Sequence, residues 1–114
     1  MATTKIVFDP AAPKSVNEGS AASFSATFYT AGVATAPSTV RYRVDDCYSE
    51  DNVVDWTTVT AGATVSISIA ASLNVMIDED RRVERKVLTV EADNGTSTAF
   101  NDSAYYDVVN RIGI

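Results

Sequence analysis

A chain of 114 residues, 46% hydrophobic and 21% charged, is long enough for one hydrophobic core and too short for two, so residues 1–114 read as a single domain. A net charge of -6, spread evenly over both halves, excludes the basic surface that nucleic-acid binding needs. One cysteine and no histidine exclude an intrachain disulfide and a Cys/His zinc site.

Val (15) and Ile (6) far outnumber Leu (2), and Ala (16), Thr (13) and Ser (11) supply much of the remainder, a composition that favours strands. In chain order, Ile6 and Phe8 open a first strand, which Asp9-Pro10 stops, and a loop is expected through Pro13 and Gly19. Phe24, Ala26 and Phe28 alternate with Ser23, Ser25 and Thr27, so the second strand has an apolar face and a face of small hydroxyls. The run from Ala31-Gly32 to Ala36-Pro37 breaks it. Val40, Tyr42 and Val44 alternate with Arg41 and Arg43 in a third strand, closed by Asp45-Asp46. A short strand follows over Asp55–Val59, and then the turn Ala61-Gly62.

Val65, Ile67 and Ile69 alternate with Thr64, Ser66 and Ser68 in the next strand. Residues 70–82 do not alternate and predict a crossing loop with one helical turn. Leu88, Val90 and Ala92 face one side of the following strand, which ends in the turn chemistry of Asp93-Asn94-Gly95. Ala104, Tyr106 and Val108 face one side of the last. Seven short one-faced strands with no competing amphipathic helix predict an all-β, antiparallel two-sheet sandwich. Its expected core is Phe24, Phe28, Val40, Tyr42, Val44, Val65, Ile67, Ile69, Leu88, Val90, Tyr106 and Val108.

Chemical motifs are scarce. Without histidine, the usual serine or cysteine nucleophiles lack a base, and no catalysis is expected. Asp45, Asp46, Glu50 and Asp51 surround Cys47 and would raise rather than lower its thiol pKa. Two acidic clusters, Asp78, Glu79 and Asp80, and Asp45, Asp46, Glu50 and Asp51, are the candidates for a hard cation. Neither has an EF-hand spacing, and Arg81, Arg82 and Arg85 follow the first, so Asp78 and Asp80 are read as locally charge-compensated and no metal or other cofactor is expected. Met1 to Lys5 lead straight into a strand, and no apolar window approaches the length of a membrane span, which implies cytoplasmic synthesis and no membrane partner.

Aromatic and Arg side chains off the apolar faces are the candidate interface: Tyr48, Tyr105, Arg41 and Arg43, with Trp56 on a short strand that is either an edge anchor or, as the single Trp, the closure of one end of the core. Tyr29 also falls outward.

The segments Thr39–Asp46, Val54–Val59, Ala63–Ile69 and Arg85–Ala92 together resemble immunoglobulin-like domains of bacteriophage structural proteins and some bacterial surface proteins, over roughly residues 20–110. The inter-sheet disulfide, a Trp on the third strand and a tyrosine corner are missing, so the resemblance is to the disulfide-free branch. It implies an immunoglobulin-like sandwich located in the virion, a capsid decoration or accessory head protein whose partner is the capsid or another virion protein, with self-association left open. The alternatives are a tail or head-tail component and a module that binds carbohydrate on a cell surface. A sugar binder should present two or three coplanar open aromatics, and a decoration protein a flat face rich in small residues.

Overall fold

The computed structural model describes residues 4–9, 14–76, 82–93 and 98–110. Among the described residues nine strands are present: β1 (Thr4–Asp9), β2 (Lys14–Asn17), β3 (Ala22–Thr30), β4 (Val33–Ala34), β5 (Thr39–Asp46), β6 (Asn52–Val59), β7 (Thr64–Ile69), β8 (Val83–Asp93) and β9 (Thr98–Val109). One sheet sets β3 between β1 and the pair β7 and β4; the other has the order β2-β9-β8-β5-β6. With β1, β3 and β7 in one layer and β6, β5, β8 and β9 in the other, this is a two-layer β-sandwich with β6 at an edge.

The inward stripes meet between the layers. All twelve residues expected in the core are buried, joined by Ile6, Phe8, Val16, Ala22, Ala26, Met76, Ala92, Phe100 and Ala104. Phe28 meets Phe100 edge-on at 5.1 Å, and Phe24 tilts against Tyr106 at 5.5 Å between ring centroids.

Three expectations need correction. Lys14–Asn17 is a strand rather than loop, and it pairs with β9 in parallel, so the sandwich is not wholly antiparallel. Four residues with Pro13 just ahead give little local signal, and the partner that makes them a strand lies some ninety positions away. The breaker run after β3 does not simply end that strand but turns it into a hairpin, in which Thr30 pairs with Val33. The fourth expected strand begins at Asn52 rather than Asp55. The crossing after β7 does hold one helical turn, a 3-10 turn over Ala71–Leu73. The turn chemistry at Asn94-Gly95 and the acidic residues Asp78, Glu79 and Asp80 lie outside the described residues.

That crossing is tied to the core by one side chain. Asn74 is wholly buried; its amide donates to the Ser20 carbonyl at 2.8 Å and its Oδ1 accepts from the Tyr106 hydroxyl at 2.8 Å. The Gly19 N–H donates to the Asn74 carbonyl at 2.7 Å, so the backbone and the side chain of Asn74 both bind the turn after β2. Burial pushes the Tyr106 phenol pKa up, which keeps it a donor throughout the accessible pH range.

The β3–β4 hairpin turns on Ala31 and Gly32 at φ 51° and 82°. Two successive positive φ values are those of a type I′ turn, which suits Asn-Gly or Gly-Gly and strains Ala. A31G is therefore expected to raise stability by about 1 kcal/mol in urea denaturation; an unchanged or lower midpoint would show that the left-handed Ala is not strained.

Candidate functional site

The outer face of the five-stranded sheet is a register of rows fixed by strand pairing. Thr58, Arg41, Glu91 and Asn101 form one row across β6, β5, β8 and β9. Arg43, Thr89 and Ser103 form the next, then Asp45, Val87 and Tyr105, then Arg85 and Asp107 with Ser15 of β2 beyond.

Ion pairs follow those rows. Arg41 donates to Glu91 at 3.0 Å directly across the strands, and Arg85 grips Asp107 at 2.9 and 3.3 Å. Arg43 donates through Nε and Nη2 to both oxygens of Asp45, each at 2.8 Å. That grip holds the Asp45 carboxyl below its ordinary range, more than offsetting partial burial, with Asn52 adding a further donor. At this exposure each pair adds little stability; together they fix the rotamers of three arginines.

Trp56 joins this face. The expectation that a lone Trp closes one end of the core is not met. The pairing of β5 with β6 shifts between Tyr42 and Val44, where Tyr42 faces Thr57 and Val44 faces Val54. One extra residue on β6 is a bulge, and it turns Val54 inward while leaving Trp56 outward. The Arg41 guanidinium lies 4.2 Å from the Trp56 ring centroid and that of Arg43 5.5 Å, so the indole is held by two cations. Tyr48 and Tyr105 lie toward the β5–β6 turn on the same side, 56% and 45% exposed. A shallow hollow there is lined by Asp45, Asp46, Cys47, Glu50, Val87 and Tyr105. All five interface candidates thus belong to one sheet face or its rim, with Trp56, Arg41 and Arg43 in contact and the two tyrosines apart from them. Tyr29 is on the opposite sheet, beside Lys5, Val7 and Gly32.

The other outer face differs in kind. Ser23, Ser25 and Thr27 of β3 pair with Ser68, Ser66 and Thr64 of β7, giving a flat array of hydroxyls linked at 3.4 Å (Ser23 to Ser68) and 3.0 Å (Thr27 to Thr64).

A second cluster escaped the reading of the sequence. Asp46, expected only as a member of the acidic cluster around Cys47, is 2% exposed, and Glu84 and Lys86 are buried beside it at 1% and 0%. Lys86 Nζ donates to Asp46 Oδ1 at 2.9 Å and to Glu84 Oε1 at 3.1 Å. The signal was in the parity of β8: Leu88, Val90 and Ala92 face inward, and the same alternation continued backward puts Lys86 and Glu84 inward too. Asp46 Oδ2 in turn accepts from the Tyr48 N–H at 3.1 Å, the Ser49 N–H at 2.7 Å and the Ser49 hydroxyl at 3.0 Å. Burial pulls the Asp46 carboxyl up, but the Ser49 amide, the Lys86 ammonium and the Ser49 hydroxyl together hold it below its ordinary range.

Asp45 is taken by Arg43 and Asp46 by Lys86, and among the described residues no group of three Asp, Glu, Cys or His side chains is placed to hold a metal ion. Cys47 is half-buried, and burial first and Asp46 second push its thiol pKa up, away from reactivity. No protein-family model and no curated protein matches the chain.

Two measurements test this electrostatic account. K86A leaves two buried carboxylates without their cation and is expected to cost about 3–5 kcal/mol in urea denaturation, whereas C47S is expected to stay within about 0.5 kcal/mol. Asp45 protonates at lower pH folded than unfolded, so its contribution is complete above the unfolded value of about 4 and is lost as the pH falls through the folded value. Urea midpoints followed downward from neutral pH should begin to fall near about pH 4, less steeply in D45N; identical slopes would mean that Arg43 does not stabilise the ionised Asp45.

Proposed function

We propose that the chain is a non-catalytic bacteriophage virion component, an accessory head protein that docks on the assembled capsid through the outer face of its five-stranded sheet. The observation that carries the reading is the clamp of Trp56 between Arg41 and Arg43, with exposed Tyr48 and Tyr105 on the same side. Trp, Tyr and Arg are the residues that most often dominate protein interfaces, and here the arginines are ordered in advance by Glu91 and Asp45. The resemblance to disulfide-free immunoglobulin-like domains of phage structural proteins supplies the class of partner. The flat hydroxyl array of β3 and β7 supports it as well, since a small-residue face suits contact between neighbouring copies on a lattice.

The arrangement weighs against the carbohydrate alternative. Sugar rings stack on open aromatic faces, and a guanidinium already lies over the Trp56 ring. Catalysis has no support either: the Asp and Glu groups of the outer-face rows are engaged by arginines, and the Lys86 cluster is closed to solvent.

Purified protein mixed with undecorated capsids should co-sediment with them, and W56A should bind roughly thirtyfold more weakly, the size of a hot-spot loss of about 2 kcal/mol. Failure of the wild-type protein to bind capsids, together with retention on a host polysaccharide, would replace this reading with the carbohydrate one.

A further inference from the structure

The Lys86 cluster does more than an ion pair requires. An amine, the carboxyl it faces, a second carboxylate in reach of the same nitrogen and a set of donors on the far carboxyl oxygen are gathered in a place with 0–2% side-chain exposure. Asp46 and Lys86 are also direct partners in the β5–β8 ladder, so the backbone holds their side chains side by side.

We propose that Lys86 and Asp46 form an intramolecular amide (isopeptide) bond, with Glu84 as the catalytic proton carrier. The Lys86 ammonium gives one proton to Glu84 Oε1, 3.1 Å away, and becomes a neutral amine. Glu84 hands that proton to Asp46 Oδ1, so that the carboxyl is neutral when the nitrogen lone pair attacks Cγ, forming the C–N bond while charge moves onto Oδ2. That oxygen already accepts from the Tyr48 and Ser49 N–H groups and the Ser49 hydroxyl, which is the arrangement that stabilises a tetrahedral intermediate. Glu84 then takes a second proton from the nitrogen and delivers it to Oδ1 as well. The Cγ–Oδ1 bond breaks, water leaves and Glu84 is again a carboxylate. Of the three ammonium protons, two depart in the water and one remains on the amide nitrogen, so the step needs no oxidant, activator or second substrate.

Two physical factors favour it here over the same pair in water. The ladder presents amine and acid at an effective concentration no bimolecular reaction attains. Burial removes the solvent that otherwise stabilises the separated ammonium and carboxylate against their neutral forms. The bond would join β5 to β8, the middle strand of the five-stranded sheet, and would withdraw the buried charge pair from the core. The inference is independent of the proposed capsid partner.

Intact-mass spectrometry of the full chain tests it. The folded protein, after allowance for loss of Met1, should be lighter than its sequence by one water. Trypsin should then yield a branched species joining residues 44–81 to residues 86–111, with cleavage blocked at Lys86. E84Q should keep the full mass while folding to a native-like circular dichroism spectrum. Wild-type protein that holds its full mass after prolonged incubation in the folded state overturns the proposal, as does a one-water loss that maps to other residues; an E84Q protein bridged as fast as the wild type overturns the part given to Glu84.

Discussion

An inward-facing lysine is the constraint around which one end of this sandwich is built. β8 carries its apolar stripe from Ala92 back through Val90 and Leu88, and the same face then presents Lys86 and Glu84 to the interior. A buried ammonium must be met by carboxylate and hydrogen bonds or it unfolds the structure around it. Asp46 meets it from the last rung of β5, and that position shapes the turn that follows. With Oδ2 receiving Tyr48 and Ser49, the chain is drawn into a tight loop in which the Glu50 N–H donates to the Asp46 carbonyl at 3.0 Å and Glu50 takes φ 63°. The exposed position of Tyr48, the half-burial of Cys47 and the hollow beside Tyr105 all follow from this loop.

The two outer faces then diverge because period-2 alternation places different chemistries on them. On β3 and β7 the residues opposite the core are Ser and Thr, and their rows close on one another through short hydroxyl contacts. On β5, β8 and β9 they include Arg, Asp and Glu among Thr, Val, Ser, Asn and Tyr, and the strand geometry brings the charged ones into ordered ion pairs. A bulge of β6 brings Trp56 into that pattern. The proposed docking face is thus a consequence of register, and the order of its arginines comes from neighbours on adjacent strands and, for Arg43, from Asp45 two residues along its own.

The core was legible in the sequence because it depends only on alternation within each strand, and every residue assigned to it from Phe24 to Val108 is buried. What alternation cannot convey is what a strand pairs with. β2 owes its existence to a parallel partner at the far end of the chain, and the orientation of Trp56 depends on a bulge that appears only once β5 is beside β6. The candidate interface was readable as residue types off the apolar faces; its assembly into a clamp was not, since Arg41 and Arg43 reach Trp56 from the next strand. Glu84 and Lys86 are a different case. Their inward placement follows from parity alone, but charged residues are rarely fully buried without a partner, and that partner, Asp46, is identified only by the pairing of β5 with β8.

The most direct test of the central functional claim is side-chain footprinting by hydroxyl radicals on the protein free and bound to capsids. The account predicts that Trp56, Tyr48 and Tyr105 lose reactivity on the particle while Tyr29, on the opposite sheet, keeps it. Protection of Tyr29 with Trp56 unchanged would contradict the account.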